Sequence, residues 1–259
     1  MTEEKLFIKN RKNQNISVLI EIPKSQKGLA FVIHGLGGRK NQPHIRKISK
    51  AFIDNNITTI SFDTTNSYGE SDGDFQDATI TNYLQDLEDV INWAKKQNWY
   101  KEPFYLAGHS LGSACIIIYA ETFPHEIKAL APISTIVSGK LSLETKRNGD
   151  LEKWEKEGIR QWTSNSGIIK RLKWTHIQDR LKYDVLEKID KIKMPVILIV
   201  GENDTSTPVQ HHKILFDNLN CNKEMHIIKN ADHNFRGEDE EKNLNELNML
   251  LKTWINKLK

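Results

Sequence analysis

The chain of 259 residues is long enough for one large α/β domain carrying a modest insertion, and it needs no disulfide framework to bury its core. Its net charge of +3 is small against 27% charged residues, and lysines spread through most segments argue against nucleic acid as a partner. No apolar run approaches the ~20 residues that cross a bilayer, the Met-Thr-Glu-Glu-Lys start lacks a signal-peptide core, and two distant cysteines, Cys115 and Cys221, suit a reducing cytoplasm.

Residues 15–22 and 28–34 are short, β-branched runs separated by a Pro/Gly turn, and they predict strands. A helix over 43–55 opens on Pro43, which is tolerated in a first turn. Ile57 to Phe62 is a third strand, followed by a loop over 63–78 rich in Gly, Ser and Asp. Leu84, Leu87, Val90 and Ile91 recur at helical spacing, predicting an amphipathic helix from Ile80 to Gln97. Phe104 to Ala107 is a strand and Leu111 to Phe123 a helix; Ala129–Ile133 and Val196–Val200 are two more strands. Helices near 208–218 and 240–258 flank a last strand at 224–229. Strands alternating with helices of this length imply parallel βαβ units with helices on both faces of the sheet.

One interval breaks the alternation. Residues 138–190 hold no convincing buried strand, yet carry Trp154, Trp162 and Trp174 among many charged residues. Structureless loops of that length are rare in compact domains. The expectation is a helical cap over 138–190, inserted into a core formed by 1–137 and 191–259. The tryptophans would line a pocket or build the cap's own small core, the latter for at least one of them. The basic excess at Lys170, Arg171, Lys173, Arg180 and Lys182 allows an anionic substrate or a transient membrane contact.

The strand at Phe104 runs straight into Gly108-His109-Ser110-Leu111-Gly112, and a helix starts at once. This is G-x-S-x-G in its required context of strand, sharp turn and helix, which lifts a serine hydroxyl clear of a sheet. A serine hydroxyl is a poor nucleophile unless a base lies within hydrogen-bond reach and a third group holds that base. Asp204 stands just past the strand Val196–Val200, and His233 just past the last strand, where open α/β sheets place their ligands. The chain order Ser, Asp, His is the one expected behind such a turn. Glu202 is the nearest rival acid, and Asp232 is a poorer one because it adjoins the histidine. His125, His176, His211, His212 and His226 also follow Ser110, but none of them follows a strand end as His233 does.

A tetrahedral intermediate needs donors already aimed at its oxyanion. The N–H of Leu111, next after the serine, is one; Leu36 in His34-Gly35-Leu36-Gly37-Gly38 is the other, with Gly37 second. His34 itself reads as a loop-bonded structural residue. The glycine run fits neither G-x-x-x-x-G-K-[ST] nor G-x-G-x-x-G, and no H-E-x-x-H or paired C-x-x-C is present. Neither cofactor nor metal is expected.

With these segments together the chain resembles the α/β-hydrolase superfamily, and more narrowly its branch of cinnamoyl/feruloyl esterases, monoacylglycerol lipases and serine-aminopeptidase-like hydrolases. The likeness rests on His34-Gly35, on Tyr68-Gly69-Glu70-Ser71-Asp72-Gly73, on Gly108 to Gly112, and on the Asp204 and Asp232-His233 segments. Where relatives carry an Arg-Gly-His-Gly type of loop before Glu-Ser-Asp-Gly, this chain has Asp63-Thr64-Thr65-Asn66-Ser67-Tyr68. The resemblance implies a mostly parallel sheet with helices on both faces and a helical cap, and acyl transfer from a small-molecule ester to water. A peptidase, amidase or thioesterase on the same side chains, or a non-catalytic binding module, are the alternatives.

Overall fold

The computed structural model describes residues 1–144, 149–163, 167 and 169–258. The strands are β1 (Thr2–Lys9), β2 (Asn15–Ile22), β3 (Gly28–Ile33), β4 (Ile57–Phe62), β5 (Phe104–His109), β6 (Ile127–Ile133), β7 (Ile159–Thr163), β8 (Ile169–Lys173), β9 (Val196–Gly201) and β10 (Lys223–Ile228). The helices are α1 (Pro43–Ile53), α2 (Ile80–Ala94), α3 (Leu111–Thr122), α4 (Gly139–Glu144), α5 (Asp150–Glu157), α6 (Thr175–Arg180), α7 (Val209–Asn218) and α8 (Glu240–Lys257).

Eight strands form one sheet in the order β1-β2-β4-β3-β5-β6-β9-β10. β2 runs against both of its neighbours, and every other pairing in the sheet is parallel. β3, β4, β5 and β9 are buried at every residue, and β3 and β9 accordingly read as continuous apolar runs rather than alternations, while β4 also buries Thr58, Thr59 and Ser61. One face packs on α2 and α3 through residues such as Tyr83, Leu87, Ile91 and Ile116. The other packs on α1 and α8 through Ile45, Phe52, Leu247 and Trp254. Burying this much apolar surface on both faces is the dominant stabilising contribution.

The topology creates the site. The chain steps from β3 outward to β4, then returns across β3 to lay β5 on its other side. The loops leaving β3 and β5 therefore diverge at adjacent carboxyl ends, with Ile33 level with Gly108. A crevice opens at such a switch point.

Three strands differ from the sequence expectation. β1 is a strand that the sequence reading leaves unassigned. It lies at the sheet edge with only Ile8 buried, so its residues show no apolar alternation to read. Between β6 and β9, where helices alone are expected, β7 and β8 form an antiparallel hairpin beside α4, α5 and α6. Its residues are mostly exposed or half-buried, and only Leu172 is buried. Residues 145–148, 164–166 and 168 of the expected 138–190 insertion, and Lys259 of the core, lie outside the described residues. Trp154 packs edge-on against Trp174 with ring centroids 5.8 Å apart and donates its Nε1–H to the carbonyl of Leu172. Trp162 packs on Phe75.

Candidate active site

Ser110 sits where β5 becomes α3, with φ 56° and ψ −114°. For a residue with a Cβ this is a strained conformation, held only because the surroundings dictate it. Both neighbouring glycines are needed for the turn. A Cβ on Gly108 would stand 2.6 Å from the carbonyl oxygen of Gly112, and one on Gly112 would stand 2.5 Å from that of His34. The result presents the serine hydroxyl at the start of a helix whose first N–H groups lack intrahelical partners.

The structure brings Ser110, His233 and Asp204 together across 123 and 29 residues of sequence. His233 Nε2 lies 3.0 Å from Ser110 Oγ. Its Nδ1 lies 2.8 Å from Asp204 Oδ2. With Nδ1–H donated to the carboxylate, Nε2 is the lone-pair nitrogen and faces the hydroxyl. Asp204 is 4% exposed, and its carboxylate is well satisfied. Oδ1 accepts the N–H groups of Ser206 and Thr207, and Oδ2 accepts the Thr207 hydroxyl at 2.7 Å. Burial pushes this carboxyl up, but the hydrogen bond and charge of His233 and the donors of Thr207 outweigh it, leaving it at about 2. It stays ionised across the physiological range.

The rivals are occupied elsewhere. Glu202 accepts the N–H of Asn230, and Asp232 accepts the N–H groups of Asn234 and Arg236 within its own loop. His212 Nε2 accepts the N–H of Thr135, and His226 pairs with Glu224. His34 bonds its Nδ1 to the Gly35 carbonyl and accepts the Thr64 N–H at Nε2, a loop-holding role.

Of the two loop donors weighed after β3, Gly37 gives its N–H to the Tyr83 hydroxyl at 3.0 Å. Neither Leu36 N–H nor Leu111 N–H has an acceptor among the described residues. Gly35 lets that loop press close to the serine, since a Cβ there would lie 2.9 Å from the Ser110 Cβ.

Sequence reasoning missed Thr207, His109 and Tyr83. The Asp-Thr-Ser-Thr spacing of residues 204–207 was a usable signal, because an aspartate often receives donors two and three residues on. His109 Nε2 bonds the backbone carbonyl of His233 at 2.7 Å, and its ring packs against both His44 and His233. No local pattern announces a contact over 124 residues.

A cavity of about 620 Å³ opens over Ser110 and His233. Leu36 and Ile136 supply apolar surface; Gln42, Ser142, Lys170, Arg180 and Arg236 supply polar groups. Trp154, Trp162 and Trp174 do not line it. Among the described residues no cluster of three or more His, Cys, Asp or Glu side chains could hold a metal, and no helix is long and apolar enough to cross a membrane.

A mostly parallel eight-stranded sheet flanked by helices, with a serine on the turn from β5 to α3, defines an α/β-hydrolase. Residues 24–176 match the family described as serine aminopeptidase, S33, and with more than half of its length matched the chain belongs to that hydrolase family. Residues 146–259 also match the model of PhoPQ-activated pathogenicity-related protein. Est1E from Butyrivibrio proteoclasticus, solved with ferulic acid bound, superposes with a TM-score of 0.83 at 22% identity, covering 98% of each chain. Mouse alpha/beta hydrolase domain-containing protein 10 gives 0.80 at 20% identity, covering 99% of this chain and 100% of its own. An Escherichia coli protein, "Uncharacterized 31.7 kDa protein in traX-finO intergenic region", is 22% identical over 241 residues, 79% of this chain and 83% of its own length. At these identities the solved structures share the fold.

Proposed function

We propose that this hydrolase cleaves carboxylic esters of small molecules through an acyl-enzyme on Ser110. The observation that carries the proposal is the continuous chain Ser110–His233–Asp204, linked at 3.0 and 2.8 Å. His233 takes the hydroxyl proton as Ser110 attacks the ester carbonyl carbon. The N–H groups of Leu36 and Leu111 receive the developing oxyanion, and losing one such donor typically costs ~3–4 kcal/mol. Collapse breaks the bond to the alcohol, which leaves with the proton from His233. Water then adds to the acyl-enzyme by the same route, so each ester and one water yield an acid and an alcohol. Asp204 remains ionised throughout and keeps the imidazole in the Nδ1–H tautomer.

The family description favours a second reading, an aminopeptidase. The cavity speaks against it. An α-ammonium group would meet Lys170, Arg180 and Arg236 and, among the described residues, no carboxylate on the wall. Like charges brought together in a partly desolvated site repel strongly. The segment between β6 and β9, whose Lys170 and Arg180 help wall the cavity, acts in this reading as a cap over the sheet edge. The free thiols of Cys115 and Cys221 fit a reducing compartment such as the cytoplasm.

A panel of p-nitrophenyl, cinnamoyl, monoacylglycerol and aminoacyl-amide substrates tests the proposal. Turnover of esters, lost in Ser110→Ala, is the expected result; hydrolysis of the amides alone would overturn it.

A further inference from the structure

The cavity over Ser110 carries a charge imbalance that ester cleavage alone does not require. Lys170, Arg180 and Arg236 line it, and no aspartate or glutamate does among the described residues. Arg180, the last residue of α6, is only 7% exposed. Its Nε has no hydrogen-bond partner among the described residues, and Nη1 reaches only Ser142 Oγ at a long 3.4 Å. The adjacent acid is turned elsewhere: Asp179 accepts from the Thr81 N–H and hydroxyl and pairs with Lys182. Burial lowers the guanidinium to about 10 with no carboxylate acting against it. It therefore stays cationic at neutral pH. An isolated buried charge is expensive, and a fold gains nothing from it unless something else brings the counter-charge.

Resting on the ester-hydrolase reading, we propose that the substrate is an ester bearing a free carboxylate, which Arg180 binds while Ser110 attacks the ester carbonyl. The planar guanidinium fork matches the two oxygens of a carboxylate. Ile136 gives apolar wall for a methylene or aromatic spacer. Lys170, held 4.6 Å over the Tyr68 ring, and Arg236 add positive potential at the same cavity. Such a field raises the local concentration of an anionic substrate. The favoured molecules are half-esters of dicarboxylic acids.

The test compares kcat/KM for monoethyl adipate and monoethyl succinate with that for ethyl hexanoate and ethyl butyrate, by pH-stat titration on the full chain. Wild type is expected to prefer the half-esters, and Arg180→Met to cut that preference about 10- to 100-fold, mostly through KM. Glutarate, but not 1,5-pentanediol, should inhibit wild-type hydrolysis of p-nitrophenyl butyrate competitively, which needs no variant. Equal rates for half-ester and neutral ester, or inhibition by inorganic phosphate without inhibition by glutarate, overturns the carboxylate assignment. Calorimetric binding of glutarate to Ser110→Ala separates the two proposals, because it reads the anion site with the chemistry switched off. Binding there without ester turnover in wild type would refute only the esterase reading; turnover without glutarate binding would refute only the carboxylate site.

Discussion

His109, immediately before the serine at the end of β5, holds the backbone of His233 by a 2.7 Å hydrogen bond from its ring to the carbonyl oxygen. The residue that shapes the nucleophile turn thus also fixes the loop that carries the base. Burial drives the His109 imidazole well below its ordinary value, so the ring is neutral and its Nε2–H is available to donate.

Replacing this donor should loosen the base without removing it. His109→Phe keeps an aromatic ring but leaves the His233 carbonyl unbonded. Misplacement of a reacting group by about 1 Å can cost ~10²-fold, so kcat is expected to fall about 10- to 100-fold while the circular dichroism spectrum is retained. Steady-state kinetics on the preferred ester check this, and wild-type kcat would remove the positioning role.

The acid at 204 is tested by two substitutions of different depth. Asp204→Asn should lower kcat on the order of 10⁴-fold, as loss of a triad acid does elsewhere. Thr207→Val removes one hydroxyl from the carboxylate and should cost about 10-fold. Full activity in Asp204→Asn, with loss instead in Glu202→Gln, would move the role to Glu202.

Acid stability follows from the buried imidazoles. Burial lowers His34 and His109, takes His44 to about 3 and takes His212 to about 4. These rings are neutral in the folded chain and take up protons on unfolding below an ordinary value of about 6.5. The unfolded state binds more protons there, so stability rises with pH through that window and is lost as pH falls. Glu121, held at about 7 chiefly by burial, works in the opposite direction, as does the raised Asp86. The histidines outnumber these acids, and Tm is expected to drop between about pH 7 and pH 5. A thermal melt that is flat or rises over that interval contradicts the assignment.

Arg180 gives a stability prediction independent of any substrate. If the guanidinium awaits a ligand anion, its removal relieves a desolvated charge, and Arg180→Met should keep or raise Tm. At about 2–4 °C per kcal/mol for a chain near this size, a fall of more than a few degrees in scanning calorimetry would tie the side chain to the fold instead.

What the sequence disclosed follows from how local each signal is. Gly108 to Gly112 shows itself because strand, turn and helix adjoin in the chain, Asp204 because it follows the unbroken apolar strand Val196–Gly201, and His233 because it comes just after the last strand, Lys223–Ile228. The sequence ranks Leu36 ahead of Gly37 without access to the Tyr83 hydroxyl, 46 residues away, that engages the Gly37 N–H. The isolation of Arg180 could not be read beside Asp179; only the folded chain turns that carboxylate toward Thr81. β1 and the β7–β8 hairpin left no periodic trace because little of either is buried.

The most direct test of the account is the intact mass of the protein after exposure to a fluorophosphonate probe, with the modified peptide sequenced. A single adduct on Ser110, absent from a folded Ser110→Ala and much slower to form in His233→Ala, is the result expected. No adduct in a folded protein, or one formed just as fast without His233, would contradict it.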